Sequence, residues 1–436
     1  MGRPEVLRHR DFNLYWSGVV LSEIGTRGTF AAVLYHVYLI SGSSLQVGLI
    51  GLAQAVALLL LSPLGGAIAD RLDRRRLLQV AQSLSLLASL TLAVVTILDV
   101  VEVWHIILAV LFNTAAGSFE RPARDALIPA LVPRGQLVHA FALLNPSREA
   151  AILVGPAIAG VLMAVWGPEA MYLLDVFTYV VIIGALVLIR IPPVAAGKPS
   201  QNLWSSIGEG VTFVRGRPII LQLMALDLSA TVFGAYRVLL PALATDVLAV
   251  GATGYGLLSA APSAGALVGS AIIFRMMHRL RAGRVVLSST VAYGAMAVAL
   301  VWSGLLPMSV AFAAAIAAAV GLGLFDAMAT TVRHAAVQLE TPDEIRGRVT
   351  SIYQMASRGG PALGNLNVGW LASLLGPVGA LTLGGLVPVA VAGVLAATGG
   401  RIRDYEVDKS EDVEAAAPDI VVAPDARPDT QDTSET

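Results

Sequence analysis

Cysteine is absent from the 436-residue sequence, which excludes disulfides, thiolate metal sites and iron–sulfur clusters. Charged residues are scarce at 14% of the chain, whereas soluble domains carry about a quarter. The six histidines show no HExxH-like spacing, and the sequence has no G-x-x-x-x-G-K-S/T loop of the kind that ATP-driven pumps use. We therefore expect no metal, no cofactor, no enzymatic activity and no nucleic-acid partner.

Long apolar runs make up most of the chain. Hydrophobic residues account for 56% of it, and a helix needs about 20 apolar residues to cross about 30 Å of hydrocarbon. The runs predict an all-α membrane protein with twelve transmembrane helices, of which the fourth is short and is expected to continue to about Arg121. The predicted spans are 11–40, 45–69, 77–98, 104–118, 139–166, 171–189, 218–245, 254–277, 285–303, 307–330, 349–375 and 380–398.

Among the connections between these spans, only every second one contains basic residues. The connections after odd-numbered spans contain neither lysine nor arginine, whereas the opposite set carries clusters such as Arg74, Arg75 and Arg76. Basic residues stay on the cytoplasmic side because their translocation is costly. This distribution predicts a multi-pass protein of the cell membrane with both termini in the cytoplasm, as an even number of spans also requires.

The second half of the sequence repeats features of the first at a constant distance of 209 residues, for example 333 − 124. A repeat of six spans keeps its orientation in the membrane. It therefore predicts two six-helix halves with a parallel pseudo-twofold repeat and a substrate site between them. The matched positions are Arg124 and Arg333, Pro133 and Pro342, Gly155 and Gly364, Gly160 and Gly369, and Gly167–Pro168 and Gly376–Pro377.

Composition divides the chain into four parts. Residues 1–190 and 218–403 form the two predicted bundles, and 191–217 is a cytoplasmic linker. Apolar residues recur at helical spacing between Leu203 and Val214, which predicts a short amphipathic helix against the membrane or the bundle, or an ordinary linker helix without a partner. The acidic segment 404–436 is expected to be a disordered cytoplasmic tail, either regulatory or without a specific role.

One loop motif resembles a known family. Between the second and third spans the sequence reads Gly66-Ala-Ile-Ala-Asp70-Arg71-Leu-Asp73-Arg74-Arg75-Arg76. It resembles the cytoplasmic signature of the major facilitator superfamily, G-x-x-x-D-R/K-x-G-R-R/K-R/K, with Asp73 where the family usually has glycine. The resemblance implies the major facilitator fold. It also implies a conformational latch that breaks when the halves rock, formed by Gly66, Asp70, Arg71, Arg74 and Arg75. The alternative is that these charges only set the topology.

The fifth span carries Gly155-Pro156-Ala-Ile-Ala-Gly160, which resembles the antiporter signature of the same superfamily. Pro156 removes a backbone hydrogen bond and bends the helix, and the two glycines admit a partner helix closely. In the family this signature is associated with exporters that exchange their substrate against protons.

A longer resemblance covers residues 10–400 and points to a branch that includes enterobactin exporters and macrolide or multidrug efflux proteins. It implies the fold but leaves the substrate open, because members of this branch move different molecules. The matching stretches are Glu120-Arg-Pro-Ala-Arg-Asp-Ala-Leu-Ile-Pro-Ala-Leu-Val-Pro133, Glu209-Gly-Val-Thr-Phe-Val, and Gln338-Leu-Glu-Thr-Pro-Asp-Glu-Ile-Arg-Gly-Arg-Val349.

Ionisable residues at membrane depth are costly unless paired or hydrated, and each is a functional candidate. Glu23 and Arg27 stand at i, i+4 in the first span and are close enough to pair. They form either a structural pair or a proton site, with Glu23 exchanging the proton and Arg27 tuning it. Asp227 and Asp326 are the other proton-coupling candidates, and Asp326 alternatively pairs with Arg333 or Arg358.

Further polar residues are candidates for the cavity between the halves. Asp175 lies near the outer end of its span and is expected to be solvated. The cavity candidates, besides Arg27, are Asn113, Arg237, Arg358 and Asn365, and the asparagines alternatively bond neighbouring helices.

These features favour a secondary transporter that exports a small amphipathic molecule, such as a drug, a siderophore or a metabolite, by alternating access coupled to protons. The alternatives are uptake of a nutrient by proton symport and, in another class, a membrane receptor or assembly partner that transports nothing. The expected partners are the substrate, protons and membrane lipids, and the protein is expected to be a monomer.

Overall fold

The structure is a computed structural model that describes residues 5–69, 73–189, 203–276, 281–343, 345–398 and 400–405. These residues are almost entirely helical and include no strand. The helices are α1 (Arg10–Ser41), α2 (Ser44–Ala69), α3 (Arg74–Ile97), α4 (Val103–Leu131), α5 (Leu137–Trp166), α6 (Pro168–Leu188), α7 (Leu203–Gly216), α8 (Pro218–Leu228), α9 (Leu240–Ala242), α10 (Gly251–Met276), α11 (Ala282–Trp302), α12 (Met308–Leu339), α13 (Arg346–Thr398) and α14 (Gly400–Arg403).

Ten helical segments among the described residues are long and apolar enough to cross a membrane. The largest differences in length from the sequence prediction concern α4 and α13. Helix α4 runs to Leu131, well past the predicted end at Ser118 and the expected continuation to Arg121. Helix α13 covers 53 residues as two helical stretches that meet at a kink at Gly376, where φ is 72° and ψ is 166°. Helix α7 covers the segment between Leu203 and Val214, and Gly210 within it packs against Ile352 of α13.

The segment Pro218–Val247 is predominantly apolar but helical only in pieces. Helix α8 gives way to a π-helical turn at Ser229–Phe233, and a 3₁₀ turn follows at Tyr236–Leu239. Side chains satisfy carbonyl groups near this break: the Tyr293 hydroxyl donates to the carbonyl of Gly234 at 2.8 Å, and Asn367 Nδ2 donates to that of Val232 at 3.1 Å. Such partners permit irregular backbone at membrane depth.

The helices pack as two groups. In the first group, α1–α6, helix α1 packs against α5 and α6, and α3 and α4 pack against each other. In the second group, α8–α14, helix α12 packs against α10 and α11. Helix α2 meets α13 and helix α5 meets α10, and these are the main contacts between the groups.

One end of the bundle carries the tight turns. All residues with positive φ in the described chain lie in the connections after α1, α3, α5 and α9 or at the break in α13. Contacts between these connections, such as that between Tyr38 and Asp246, place them at one end, which we call the short-turn end. The opposite end, the arginine end, carries Arg74–Arg76 and the start of α13. The residues with positive φ are Gly42, Asp99, Gly167, Ala249, Gly251 and Gly376.

Candidate transport cavity and its ion pairs

A cavity of about 900 Å³ lies between the two helix groups. Its wall is mixed, with hydroxyl and amide groups set among apolar side chains. Arg27 and Asn113 line it, as the sequence predicted, together with Gln54 from α2. The second group contributes the first turns of α13, so the cavity extends toward the arginine end. The lining residues of α13 are Ser351, Gln354, Ser357 and Pro361.

Asn113 belongs to a hydrogen-bonded chain across the first group. Its Nδ2 donates to the hydroxyl of Tyr179 at 3.2 Å, and the hydroxyls of Tyr179 and Thr26 lie 3.1 Å apart. Tyr179 is buried on α6. The cavity wall is thereby tied to α1, α4 and α6, so a change of Asn113 affects both the wall and the packing behind it.

Glu23 is held between two arginines. Arg124 Nη1 donates to Glu23 Oε1 at 2.8 Å, and Arg27 Nε lies 3.4 Å from Glu23 Oε2. Arg124 also pairs with Glu120 one turn earlier on α4. The side chain of Arg124 is 8% exposed and that of Arg27 is 39% exposed. The predicted pairing of Glu23 with Arg27 is therefore present, but the buried and closer partner is Arg124.

Asp227 forms the corresponding ion pair in the second group. Its Oδ1 lies 2.8 Å from Arg333 Nη2, and the two side chains are 3% and 1% exposed. Arg333 also donates to the Thr330 hydroxyl at 2.8 Å, whereas its distance to Asp326 is 3.8 Å. The sequence suggested Asp326 as the partner of Arg333, and the structure adds Asp227 as the closer one.

Two buried arginines, which hydropathy places in connections between spans, are the cations of these ion pairs. Arg124 and Arg333 are 209 residues apart, and each holds an acid from the first helical segment of its own group. The signal in the sequence that identifies them is their spacing of 209 residues, which other matched positions share. Their acids were the residues that drew attention because carboxylates are rare in membrane spans.

Arg237 and Asp326 lie near each other in the second group. Arg237 sits in the 3₁₀ turn of Tyr236–Leu239, with its guanidinium 5.9 Å from the centre of the Tyr236 ring. Both Arg237 and Asp326 are exposed, and each is within electrostatic range of the other. Exposed charges deep in a helix bundle face water-filled space rather than lipid.

The antiporter-like motif lies at contacts between helices. A Cβ atom placed on Gly155 would lie 2.8 Å from the carbonyl oxygen of Ile24, so α1 and α5 touch there. A Cβ atom on Gly160 would lie 2.7 Å from Cα of Gly256 on α10, at a crossing between the two groups. Pro156 lies inside α5, and its carbonyl faces Gly256.

Asn365 lies at the other crossing between the groups. It is 7% exposed, and a Cβ atom placed on Gly48 of α2 would lie 2.8 Å from its carbonyl oxygen. The residues that line the 900 Å³ cavity do not include it. Its contacts therefore match the alternative that this asparagine packs between helices. The side chain of Arg358 lies outside the described residues.

The predicted latch is described only in part. Asp70 and Arg71 lie outside the described residues, and Gly66 belongs to the last turn of α2. Arg75 Nη2 donates to the carbonyl of Val187 at 2.7 Å, a bond between α3 and α6 within the first group. Arg74 begins α3.

Asp73 explains the departure of this loop from the family signature. Its carboxylate accepts a hydrogen bond from the backbone N–H of Arg76 at 3.0 Å and caps the N-terminus of α3. An N-cap carboxylate satisfies an unpaired N–H group and interacts favourably with the helix dipole.

The short-turn end is closed. The Tyr38 hydroxyl donates to the carboxylate of Asp246 from the other group. The rings of Tyr35 and Tyr255 stack with centroids 4.8 Å apart, and the Tyr255 hydroxyl donates to the carbonyl of Ala31 at 2.8 Å. These contacts join the groups beyond the cavity, so the cavity does not continue to this end.

Asp175 was expected to be solvated, and this is wrong. Its side chain is fully buried on α6, where it accepts a hydrogen bond from the Ser89 hydroxyl at 2.7 Å. The span was placed correctly, but hydropathy does not say which side of a helix faces its neighbours. Asp175 faces α1 and α3, as Gly25 and Ser89 show.

Comparison with curated proteins points to exporters. The chain is 27% identical over 380 residues to the enterobactin exporter EntS of Salmonella typhimurium (strain LT2), which covers 86% of this chain and 88% of that protein. It is also 27% identical over 358 residues to the enterobactin exporter EntS of Escherichia coli O1:K1, covering 81% and 83%.

Solved structures show the same fold. The nucleoside transporter NupG superposes with a TM-score of 0.74 at 14% identity, over 91% of this chain and all of that one. A bacterial homologue of the iron transporter ferroportin in an inward-facing state superposes with a TM-score of 0.68 at 16% identity, over 88% and 98%.

The family model described as transmembrane secretion effector, MFS_3, matches residues 4–427. This match spans both helix groups and the cavity between them. The chain therefore belongs to the transmembrane secretion effector family of major facilitator superfamily transporters.

Proposed function

We propose that this protein exports a small amphipathic molecule, with a siderophore as the first candidate, in exchange for protons by alternating access. The observation that carries the proposal is the 900 Å³ cavity between the helix groups, which extends toward the arginine end while the short-turn end is closed. A cavity open to one side of the membrane only is what alternating access requires.

In this proposal, the direction of transport follows from the orientation of the chain in the membrane. The connections at the short-turn end contain no arginine or lysine, and the arginines collect at the opposite end. The positive-inside rule then assigns the arginine end to the cytoplasm. A cavity open to the cytoplasm accepts a substrate made in the cell or dissolved in the inner leaflet, as an exporter must.

Twelve spans in two rocking halves complete the proposal. Helix α1 has 32 residues, but its acid and arginine at positions 23 and 27 keep it outside the ten most apolar segments. Gly376 divides α13 into parts of 30 and 22 residues (376 − 346 and 398 − 376), and each part is long enough to cross a bilayer. Counting α1 as one further span and the two parts of α13 as two spans instead of one raises the number from ten to twelve.

The ion pairs fit a rocking cycle. Glu23 and Asp227 each bind a buried arginine within their own helix group. Their predicted role as proton carriers stays a prediction, as does that of Asp326.

The proposed class of substrate is based on the curated proteins to which this chain is similar. Both proteins named above are enterobactin exporters, and the cavity wall combines apolar side chains with hydroxyls, amides and one arginine. Such a wall suits a molecule with both apolar and polar parts. Enterobactin is therefore the first probe.

Transport into vesicles tests the proposal. Inside-out vesicles from cells that produce the protein receive enterobactin in the medium and an acidic lumen. Export predicts accumulation in the lumen, loss of accumulation when a protonophore collapses the gradient, and none in vesicles from cells without the protein. Accumulation only in right-side-out vesicles with an acidic medium would indicate uptake by symport. Saturable binding without accumulation in either kind of vesicle would indicate a receptor.

A further inference from the structure

Asp175 is a fully buried acid without a cationic partner among the described residues. It lies seven residues after Pro168, about 10 Å along α6 from the short-turn end. One carboxylate oxygen, Oδ2, accepts the hydrogen bond from Ser89, and the other, Oδ1, has no aligned hydrogen-bond partner. A buried carboxylate that is neither paired nor fully hydrogen-bonded is costly in its charged form.

The charged surroundings differ from those of the other membrane acids. The titratable groups that act on this carboxylate are Glu120 on α4 and Tyr179 on α6 itself, and the nearby Arg124 on α4 is paired with Glu23 and Glu120. Arg27 is paired with Glu23, and the part of α3 that packs here offers hydroxyls but no charge. Asp175 can therefore gain a proton without leaving a buried arginine unpaired.

The carboxylate is separated from the cavity by two hydroxyl groups. Ser89 of α3 and Thr29 of α1 both line the 900 Å³ cavity. The Ser89 hydroxyl donates to Asp175 at 2.7 Å, and the buried Thr29 hydroxyl lies close to the carboxylate without an aligned hydrogen bond. Hydroxyl groups accept and donate protons at once, so they connect water in the cavity with the carboxylate.

Glycine allows helix α1 to approach the same carboxylate. A Cβ atom placed on Gly25 would lie 2.7 Å from Asp175 Oδ1. The acid is therefore enclosed by α1 and α3, which both contribute to the cavity wall. A change in the position of α1 relative to α6 changes the surroundings of the acid directly.

We propose that Asp175 is the proton-binding residue of this transporter, loaded from the cavity through the hydroxyls of Ser89 and Thr29. The proton adds to the carboxylate to form a neutral carboxyl group, and the reverse step returns it to water in the cavity. The inference deepens the proposed function and rests on it for the use of the proton. Proton binding by Asp175 itself can be measured without any substrate.

Infrared difference spectroscopy of the purified protein in lipid, between acidic and alkaline buffer, measures that binding. The wild type is expected to show the carbonyl band of a carboxyl group in apolar surroundings that disappears at alkaline pH. Asp175→Asn is expected to lose this band. Glu169→Gln, which removes an acid from the first turn of the same helix, is expected to keep it. A band unchanged in Asp175→Asn overturns the inference.

A second variant covers the case in which Asp175→Asn does not fold. Asp175→Glu retains the carboxyl group but moves it, so its band is expected to persist at a shifted frequency. A band that neither moves nor weakens in Asp175→Glu belongs to another residue and overturns the inference.

Transport of enterobactin into proteoliposomes separates this inference from the proposed function. Asp175→Asn is expected to lose accumulation driven by a proton gradient while retaining exchange of labelled for unlabelled enterobactin at equal concentrations. If the wild type accumulates enterobactin and Asp175→Asn does so equally, Asp175 is not the coupling residue and export stands. If the wild type accumulates none, export of enterobactin fails, and the infrared result still decides whether Asp175 binds a proton.

Discussion

Gly160 of α5 and Gly256 of α10 cross with their backbones in contact. A Cβ atom on Gly160 would lie 2.7 Å from Cα of Gly256, and one on Gly256 would lie 2.6 Å from Cα of Gly160. Gly369, which lies 209 residues after Gly160 (369 − 160), forms a second crossing, where a Cβ atom would lie 2.9 Å from Cα of Gly48. Both crossings join the two helix groups near the short-turn end. Small residues allow such close approach of membrane helices.

A larger residue at position 160 is expected to open the short-turn end. Gly160→Leu forces α5 and α10 apart, because the obstacle is backbone and cannot move aside as a side chain would. The absence of cysteine makes a single reporter possible: Ala109→Cys places one thiol in the cavity wall. A membrane-impermeant maleimide added from the short-turn side is expected to label this thiol faster in the Gly160→Leu background.

Gly184→Leu is the matched control for that experiment. Gly184 also lies in a membrane helix of the first group, but a Cβ atom there would meet nothing within 4 Å. Its labelling rate is expected to equal that of the reporter alone. Equal rates in the Gly160→Leu and Gly184→Leu backgrounds would show that the glycine crossing does not hold the end closed.

The crossing also shows which of its residues the sequence predicts and which it does not. The Gly-Pro motif identified Gly160, because a glycine pair around a proline is visible as a local pattern. Its partner Gly256 lies in a span with several other glycines, and nothing local distinguishes it from them. The repeat supplies Gly369, but the facing residues depend on how the helices rotate about their own axes.

Asp175 and Arg124 also show what the sequence does not predict about the contacts between helices. Hydropathy locates Asp175 along its helix, but it ends the fourth span before Arg124, which lies within α4. Loop charges predict which end of each helix faces the cytoplasm. Rotation about the helix axis is set by packing, through contacts such as those of Ser89 with Asp175 and Glu23 with Arg124. The structure therefore adds that Glu23 has a buried cation, whereas Asp175 has none among the described residues.

Loss of the hydrogen bond between Tyr38 and Asp246 is expected to shift the protein toward an open short-turn end. Tyr38→Phe removes the only atom of Tyr38 that reaches the carboxylate, and it leaves the ring in place. One hydrogen bond is worth about 1 kcal/mol, which corresponds to a change of about fivefold in the ratio of closed to open molecules.

Electron–electron double resonance measures this shift. Spin labels at Leu39→Cys and Leu305→Cys, two exposed positions in different groups, report the width of the short-turn end. Thr382→Val is the control, because it removes the bond from Trp302 at the same end but within the second group. If Tyr38→Phe gives the same distance distribution as Thr382→Val, the bond between the groups does not bias the equilibrium.

The two arginines that bind Glu23 are expected to differ in their effect on stability. Arg124→Gln leaves Glu23 and Glu120 without their shared cation in a buried site, which typically costs about 3–5 kcal/mol. Arg27→Gln removes a partner that is 39% exposed, and exposed pairs contribute less than about 1 kcal/mol. Thermal unfolding of the purified variants in one detergent measures the difference. A melting temperature lower for Arg27→Gln than for Arg124→Gln would contradict the assignment of Arg124 as the structural partner.

The buried pair of Asp227 and Arg333 allows a test by rescue. Asp227→Asn leaves Arg333, which is 1% exposed, with Asp326 at 3.8 Å as its nearest described acid, and the expected loss is again about 3–5 kcal/mol. Arg333→Gln alone is expected to cost a similar amount, because it leaves Asp227 buried and unpaired. The double variant removes both charges, and its melting temperature is expected to lie above that of either single variant. Asp326→Asn is the control and is expected to change stability little, since that side chain is 52% exposed. Additive losses in the double variant would mean that the two charges do not stabilise each other.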